Sequence, residues 1–337
     1  MVGDCKKFLI KEVLYRLAEE KKKSKIVIEK EYKFDLDIKE NSICKITKSG
    51  NITEVQIMDY LPQGVPIKKL NQNQYVLCDT GEVKDFKKSE SRKDNTDSLY
   101  KTFKKIRNLV NTNFKGGKSE LHLILTYAEN MTDTKRLYKD SKSLLKKLYR
   151  RYPDLEYLQV VEPQGRGAWH IHMLCKRTQT DNFYIKNKEL REMWGQGFVT
   201  VKRLDDVDNV GAYLSAYLGD IFLEDIDPEE EKDKYAEYES QAVDKVIDKK
   251  KKTTKKVVKG GRLHMYPPGM NIYRKSNGII EPDISKCRYK DLYKQNIESK
   301  GGNPCFSEKI TVKQIDEETE TEKVLNTITY LQFNKNR

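Results

Sequence analysis

Two histidines one residue apart are the sharpest chemical signal in this chain, in the run Trp169-His170-Ile171-His172-Met173-Leu174. If that run is a strand, side chains at i and i+2 share a face. His170 and His172 then project together, while Ile171 and Met173 turn toward a core. Two imidazoles so placed can share one divalent ion. His-x-His alone is a weak signal, because such pairs also arise by chance on surfaces. It gains weight here because the chain has only 4 histidines. A cation also calls for a charged ligand. Glu162 ends the preceding strand-like run, and Gly165-Arg166-Gly167 can turn the chain back beside it. Two imidazoles and a carboxylate leave positions open for water and a phosphate oxygen. That suits Mg²⁺ or Mn²⁺ acting as a Lewis acid; Zn²⁺ accepts the same ligand types.

The second signal is Gly211-Ala212-Tyr213-Leu214-Ser215-Ala216-Tyr217-Leu218-Gly219-Asp220. On a helix, Tyr213 and Tyr217 share one face. Taken alone, such a pair reads as an aromatic stripe in a core. With a metal site upstream, a tyrosine oxygen becomes a candidate nucleophile. A phenol has a pKa of about 10 and is mostly protonated at neutral pH. It needs a nearby base, or a metal that polarises the phosphate it attacks.

These residues must be held by surrounding elements. Leu121-His122-Leu123-Ile124-Leu125-Thr126-Tyr127 reads as a buried strand. Thr132 or Asp133 caps a helix running to about Tyr152, with Leu137, Leu144, Leu145 and Leu148 on one face, and Pro153 ends it. Strands follow at 157–162 and 169–175, then a helix near 187–195, a strand at 198–202 and a helix at 206–218. Upstream, 6–23 reads as a helix, 26–60 as strands with a hairpin at Ser49-Gly50-Asn51, and 99–114 as a basic helix. Residues 223–239 hold nine acidic residues and 245–262 nine basic ones, which reads as a solvated insertion, helical or without structure. Residues 263–280 resume as strand, and Val324 to Phe333 is strand-like but ambiguous.

Composition narrows the partners. The chain has 337 residues, 35% of them charged, and a net charge of +13. Such an excess favours an anionic polymer, because lysine and arginine displace counterions condensed on phosphates. No apolar run reaches the roughly 18 residues that a membrane helix needs. Met1 to Ile10 carries Asp4, Lys6 and Lys7 and no apolar signal core, so the expected location is cytoplasmic. Cys5, Cys44, Cys78, Cys175, Cys287 and Cys305 are dispersed, without a CxxC pair, and indicate neither a zinc site nor a disulfide framework.

Taken together, the sequence resembles the His-hydrophobic-His (HUH) endonuclease superfamily. More narrowly, it is similar to replication-associated proteins of Firmicute plasmids, phages and integrative elements. Three stretches carry the resemblance in family order. Leu123 to Tyr127 with Glu129-Asn130-Met131-Thr132-Asp133 resembles the first motif. Glu162, Gly167 and His170-Ile171-His172 resemble the metal motif. Tyr213 to Tyr217 resembles the nucleophile motif. The match spans roughly 75–285. One departure is Ala216, which stands where the family motif has lysine three residues after the tyrosine. The phosphate-neutralising role of that lysine would pass to Lys202 or Arg203, and Tyr217 stays beside Tyr213 as a candidate nucleophile.

The resemblance implies an α/β (α+β) fold with a mainly antiparallel central sheet and flanking helices. It implies an accessory region at 1–74, an endonuclease domain at 75–290 with a charged insertion at 223–262, and a tail at 291–337. The implied activity is rolling-circle initiation. His170, His172 and Glu162 would hold Mg²⁺ or Mn²⁺, and a tyrosine would form a 5′-phosphotyrosine with single-stranded or origin DNA. A host helicase and polymerase are candidate partners; a membrane is not. The alternatives are an HUH transposase or conjugative relaxase with the same chemistry, or a non-catalytic DNA-binding regulator of replication.

Overall fold

The structure is a computed structural model that describes residues 24–32, 38–59, 67–71, 73–78, 80–86, 96–204, 210–211, 214, 221–222, 239, 242–248, 253–258, 261–292, 304–317 and 319–335. In chain order it runs β1 (Ser24–Glu31), β2 (Ile43–Ser49), β3 (Ile52–Met58), β4 (Ile67–Lys69), β5 (Gln74–Leu77), β6 (Val83–Asp85) and α1 (Thr96–Asn113). It continues with β7 (Glu120–Tyr127), α2 (Thr134–Arg151), β8 (Leu155–Pro163), β9 (Trp169–Arg177), α3 (Asn187–Trp194) and β10 (Gly197–Arg203). Then come β11 (Ile221–Phe222), β12 (Val243–Asp248), β13 (Thr253–Val258), β14 (Tyr273–Lys275), β15 (Asp283–Arg288), β16 (Phe306–Asp316) and β17 (Glu322–Asn334). The class is α+β, with antiparallel sheets.

The chain divides into two compact units. One carries a six-stranded sheet in the order β1-β16-β17-β3-β2-β15. Its small core is built from Cys44, Ile46, Val55, Ile57, Leu292 and Leu331. Strands read from sequence as a separate amino-terminal region and a tail are thus hydrogen-bonded neighbours. Val324 to Phe333, ambiguous by pattern, lies within β17 and pairs with both β16 and β3.

The other unit is built on a five-stranded antiparallel sheet in the order β10-β7-β9-β8-β14. Alternation along β7 gives the sheet two faces. Leu121, Leu123, Leu125 and Tyr127 are all buried on one of them, with Ile171 and Met173 of β9 and Val199 of β10. Helix α2 covers this face with Leu137, Ser141, Leu144 and Leu148, and the Ser141 hydroxyl donates to Gln159 Oε1 at 2.5 Å. Helix α3 joins it through Trp194, whose Nε1 donates to the Thr126 carbonyl at 3.2 Å. Asp133, not Thr132, caps α2, accepting from the Lys135 amide at 2.7 Å. The opposite face of the sheet carries the histidines.

Two expectations are overturned. The charged insertion is neither helical nor without structure where it is described: β12 and β13 pair antiparallel, and β11 adds to β13. Val257 and Val258 are buried, so the end of the basic run is not solvated. Residues 263–280 are not one strand. A 3₁₀ turn occupies Leu263–Met265, and Pro267, Pro268 and Gly269 intervene before the short β14. Proline has no amide hydrogen to give a ladder. The helix expected at 6–23 lies outside the described residues. So does most of the one expected at 206–218, where Val210, Gly211 and Leu214 are helical.

Candidate metal centre

The β8–β9 hairpin sets the site. Gln164 and Ala168 close its turn, the Gln164 amide donating to the Ala168 carbonyl at 2.8 Å, and Gly167 takes a left-handed φ of 84° that favours glycine. This turn fixes the register so that Glu162 pairs with His170 and Val160 with His172. Directly opposite residues in an antiparallel pair lie on one face. Glu162, His170 and His172 therefore converge, as the sequence spacing requires, and their ligand atoms lie within 4.8 Å of one another. The loop before α2 is fastened to the same place, because Trp169 donates its amide to the Met131 carbonyl and its Nε1 to the Thr132 carbonyl, both at 2.9 Å.

Glu162 Oε1 is the focus of the cluster. It lies 3.0 Å from His172 Nε2, 3.6 Å from His170 Nδ1 and 3.3 Å from Arg262 Nη1. Burial alone would raise this carboxyl, but the His172 and His170 rings and the Arg262 guanidinium outweigh it and hold it down at about 2. Glu162 is thus a carboxylate at neutral pH. Burial lowers His170, opposed by its hydrogen bond to Glu162.

Residues not singled out by sequence pattern complete the centre. His122 is fully buried, and its Nε2 lies 2.9 Å from His172 Nδ1. Burial, then the neighbouring His172 and Lys202, keep His122 well below the usual imidazole range. Thr126 Oγ1 lies 2.9 Å from His170 Nε2. Arg262 is 5% exposed. His122 and Thr126 were signalled by strand period: both sit out of phase with the core leucines of β7. What could not be read was that β7 pairs with β9. Arg262 was hidden at the end of a lysine run that looked uniformly solvated.

The residues fit a divalent cation. One anionic oxygen donor and two imidazoles match the ligand types of Mg²⁺, Mn²⁺ or Zn²⁺. Glu162 Oε2 is buried with no hydrogen-bond partner among the described residues. Such an orphaned oxygen costs on the order of 1–3 kcal/mol or more, and a bound cation would satisfy it.

Tyr213 and Tyr217 lie outside the described residues. Their helix is described at Gly211, whose amide donates to Asn111 Oδ1 of α1 at 2.8 Å. A Cβ on Gly211 would meet the Arg107 carbonyl oxygen and Asn111 Oδ1 at 2.6 Å, so only glycine permits this close seat. The two candidates for the missing lysine are separated by strand parity. Lys202 follows Phe198 and Thr200 on the face that bears the ligands, and all three are exposed. Arg203 points to the other face, where its guanidinium lies over Tyr184 at 5.4 Å and donates to Asn182 Oδ1 at 3.2 Å.

An α+β unit with a carboxylate–imidazole cluster on an antiparallel sheet has the form of a metal-dependent phosphoryl-transfer domain. The family model for replication-associated proteins of the ORF2 type matches residues 120–221, a stretch that begins with β7 and contains Glu162, His170 and His172. That part of the chain is similar to this family. Among curated proteins the chain finds no significant match. No helix of the described residues is long and apolar enough to cross a membrane.

Proposed function

We propose that this chain initiates rolling-circle replication of a mobile genetic element by nicking single-stranded DNA at an origin. The observation that carries the reading is the Glu162–His170–His172 cluster, built on a sheet inside the segment that matches replication-associated proteins. His170 Nδ1, His172 Nε2 and Glu162 would hold Mg²⁺ or Mn²⁺, which when bound supplies Lewis acidity to the scissile phosphate. Lys202 is the candidate to offset phosphate charge on the same face.

The chemistry is a transesterification. The Tyr213 oxygen attacks phosphorus and a phosphotyrosine bond forms. The bond to the 3′ oxygen of the leaving strand breaks, and the phenol's proton is balanced by the one that completes the 3′-hydroxyl. That hydroxyl primes synthesis, and its reverse attack religates the strand. Tyr217 is the alternative nucleophile. The reading places the protein in the cytoplasm, with a host helicase and polymerase as partners.

Ala216, where a lysine is expected, favours one other reading, a DNA-binding regulator that does not cleave. Incubation with single-stranded origin DNA and Mn²⁺ separates the two. A covalent protein–DNA adduct is expected. Metal-dependent DNA binding without any adduct would favour the regulator.

A further inference from the structure

We propose that His122 is a positioning residue that commits His172 to the ring tautomer able to bind a cation through Nε2. This rests on the metal reading of Glu162, His170 and His172. A neutral imidazole carries one proton, and the nitrogen that offers a lone pair to a cation cannot be the one that bears it. The other nitrogen then needs an acceptor, and that outer partner orients the ring. His172 Nε2 faces the cluster, 3.0 Å from Glu162 Oε1. Its Nδ1 faces away, 2.9 Å from His122 Nε2. The two rings are stacked, with centroids 5.1 Å apart, and are 2% and 0% exposed.

The two ligand histidines are supported differently, although both supports come from β7. His170 leans on the Thr126 hydroxyl at 2.9 Å, which can rotate to donate or to accept and so tolerates either tautomer. His122 has no such freedom: its Nε2 accepts only when its own proton sits on Nδ1. The tautomers of His122 and His172 are therefore locked together. With no cation, His172 Nε2–H donates to Glu162 and His122 Nε2–H donates to His172 Nδ1. With a cation on His172 Nε2, His172 carries its proton on Nδ1 and donates to His122 Nε2, while His122 holds its proton on Nδ1. Each ring keeps one proton throughout, so the pair switches without a net change of charge in a buried place.

The test is Mn²⁺ titration of the full chain by calorimetry, together with ¹⁵N spectra of the histidine rings loaded with diamagnetic Mg²⁺. His122→Leu keeps an apolar group of similar bulk and removes the acceptor. It should weaken Mn²⁺ binding roughly 10–100-fold, as loss of an outer-shell partner does. His122→Gln restores an amide oxygen at similar reach and should bind close to wild type. In the Mg²⁺-loaded wild type, His122 should be protonated on Nδ1 alone, a readout that depends on no variant folding. Wild-type affinity in His122→Leu, equal losses in the Leu and Gln variants, or a proton on His122 Nε2 in the loaded protein would each overturn the role. If the wild type binds Mn²⁺ and the role fails, the metal reading stands; if the wild type binds none, both fall together.

Discussion

Glu162 sits directly opposite His170 in the register of β8 and β9, with Oε1 3.6 Å from His170 Nδ1. The short hairpin turn makes that pairing, so ligand geometry is set by main-chain register and not by loop closure. His170→Ala or His172→Ala should abolish nicking and Mn²⁺ binding while largely sparing DNA binding. Glu162 is better tested as Glu162→Gln than as alanine. Alanine would leave the buried Arg262 charge facing a void, a change that costs about 3–5 kcal/mol when a buried pair is broken. Cleavage by His170→Ala at the wild-type rate would remove the metal assignment.

The nucleophile is tested by removing one oxygen. Tyr213→Phe keeps the ring and its packing, so it should fold, bind Mn²⁺ and DNA, and form no adduct. Tyr217→Phe should still form one. Peptide mapping of the DNA-linked fragment decides between them, and an adduct on Tyr217 reverses the order.

DNA binding should divide into a charge part and a stacking part along β10. Phe198 is 65% exposed and stands in one cross-strand row with Thr126, His170 and Glu162. It lies two strands, about 10 Å, from His170 at the usual strand spacing. A base stacked on it is worth roughly 1–3 kcal/mol, so Phe198→Ala should weaken single-strand binding about 5- to 150-fold. The slope of log affinity against log salt should not change. Lys202→Met should instead make that slope shallower by about 0.7, the value for one phosphate on a single strand. If both variants leave affinity and slope untouched, the strand does not run over this part of the sheet.

Acid should weaken the metal-free protein in two stages with the same sign. His122 and His170 are both lowered by burial, so below about 6.5 the unfolded chain binds more protons than the folded one, and stability falls. Glu162 is held at about 2, against roughly 4.3 when unfolded. Its contribution is complete above about pH 5 and is lost as pH falls toward 2. Urea midpoints measured from pH 7 to pH 3 should decline throughout, and Glu162→Gln should flatten the lower part. A midpoint independent of pH would contradict the burial of this cluster.

The sheet that holds the ligands was legible because its strands alternate cleanly. Leu121, Leu123 and Leu125 mark one face, and the spacing of His170 and His172 marks the other. Helix α2 announced itself through its leucine spacing and through Pro153 just past its end. The rest was hidden by long-range pairing. Nothing in Lys245 to Arg262 says that Val257 will be buried or that Arg262 will reach Glu162, because lysine runs look alike whether or not one end turns inward. The pairing of β7 with β9, which brings His122 to His172, is likewise a tertiary fact. The six-stranded sheet was least legible of all, since its strands come from opposite ends of the chain.

That last arrangement bears on how the protein is made. Strand β17 lies between β16 and β3, yet it follows β3 by more than 260 residues of chain. At about 5–20 residues per second, a ribosome leaves β3 waiting tens of seconds for its neighbour. During that time the β2–β3 hairpin has an open edge of the kind that templates association between chains. The metal-bearing sheet, whose strands lie between residues 120 and 275, can be complete well before. A ribosome stalled after β15 would therefore carry a finished cation site beside a half-built, adhesive sheet, and a chaperone that shields strand edges would be needed for the second and not for the first.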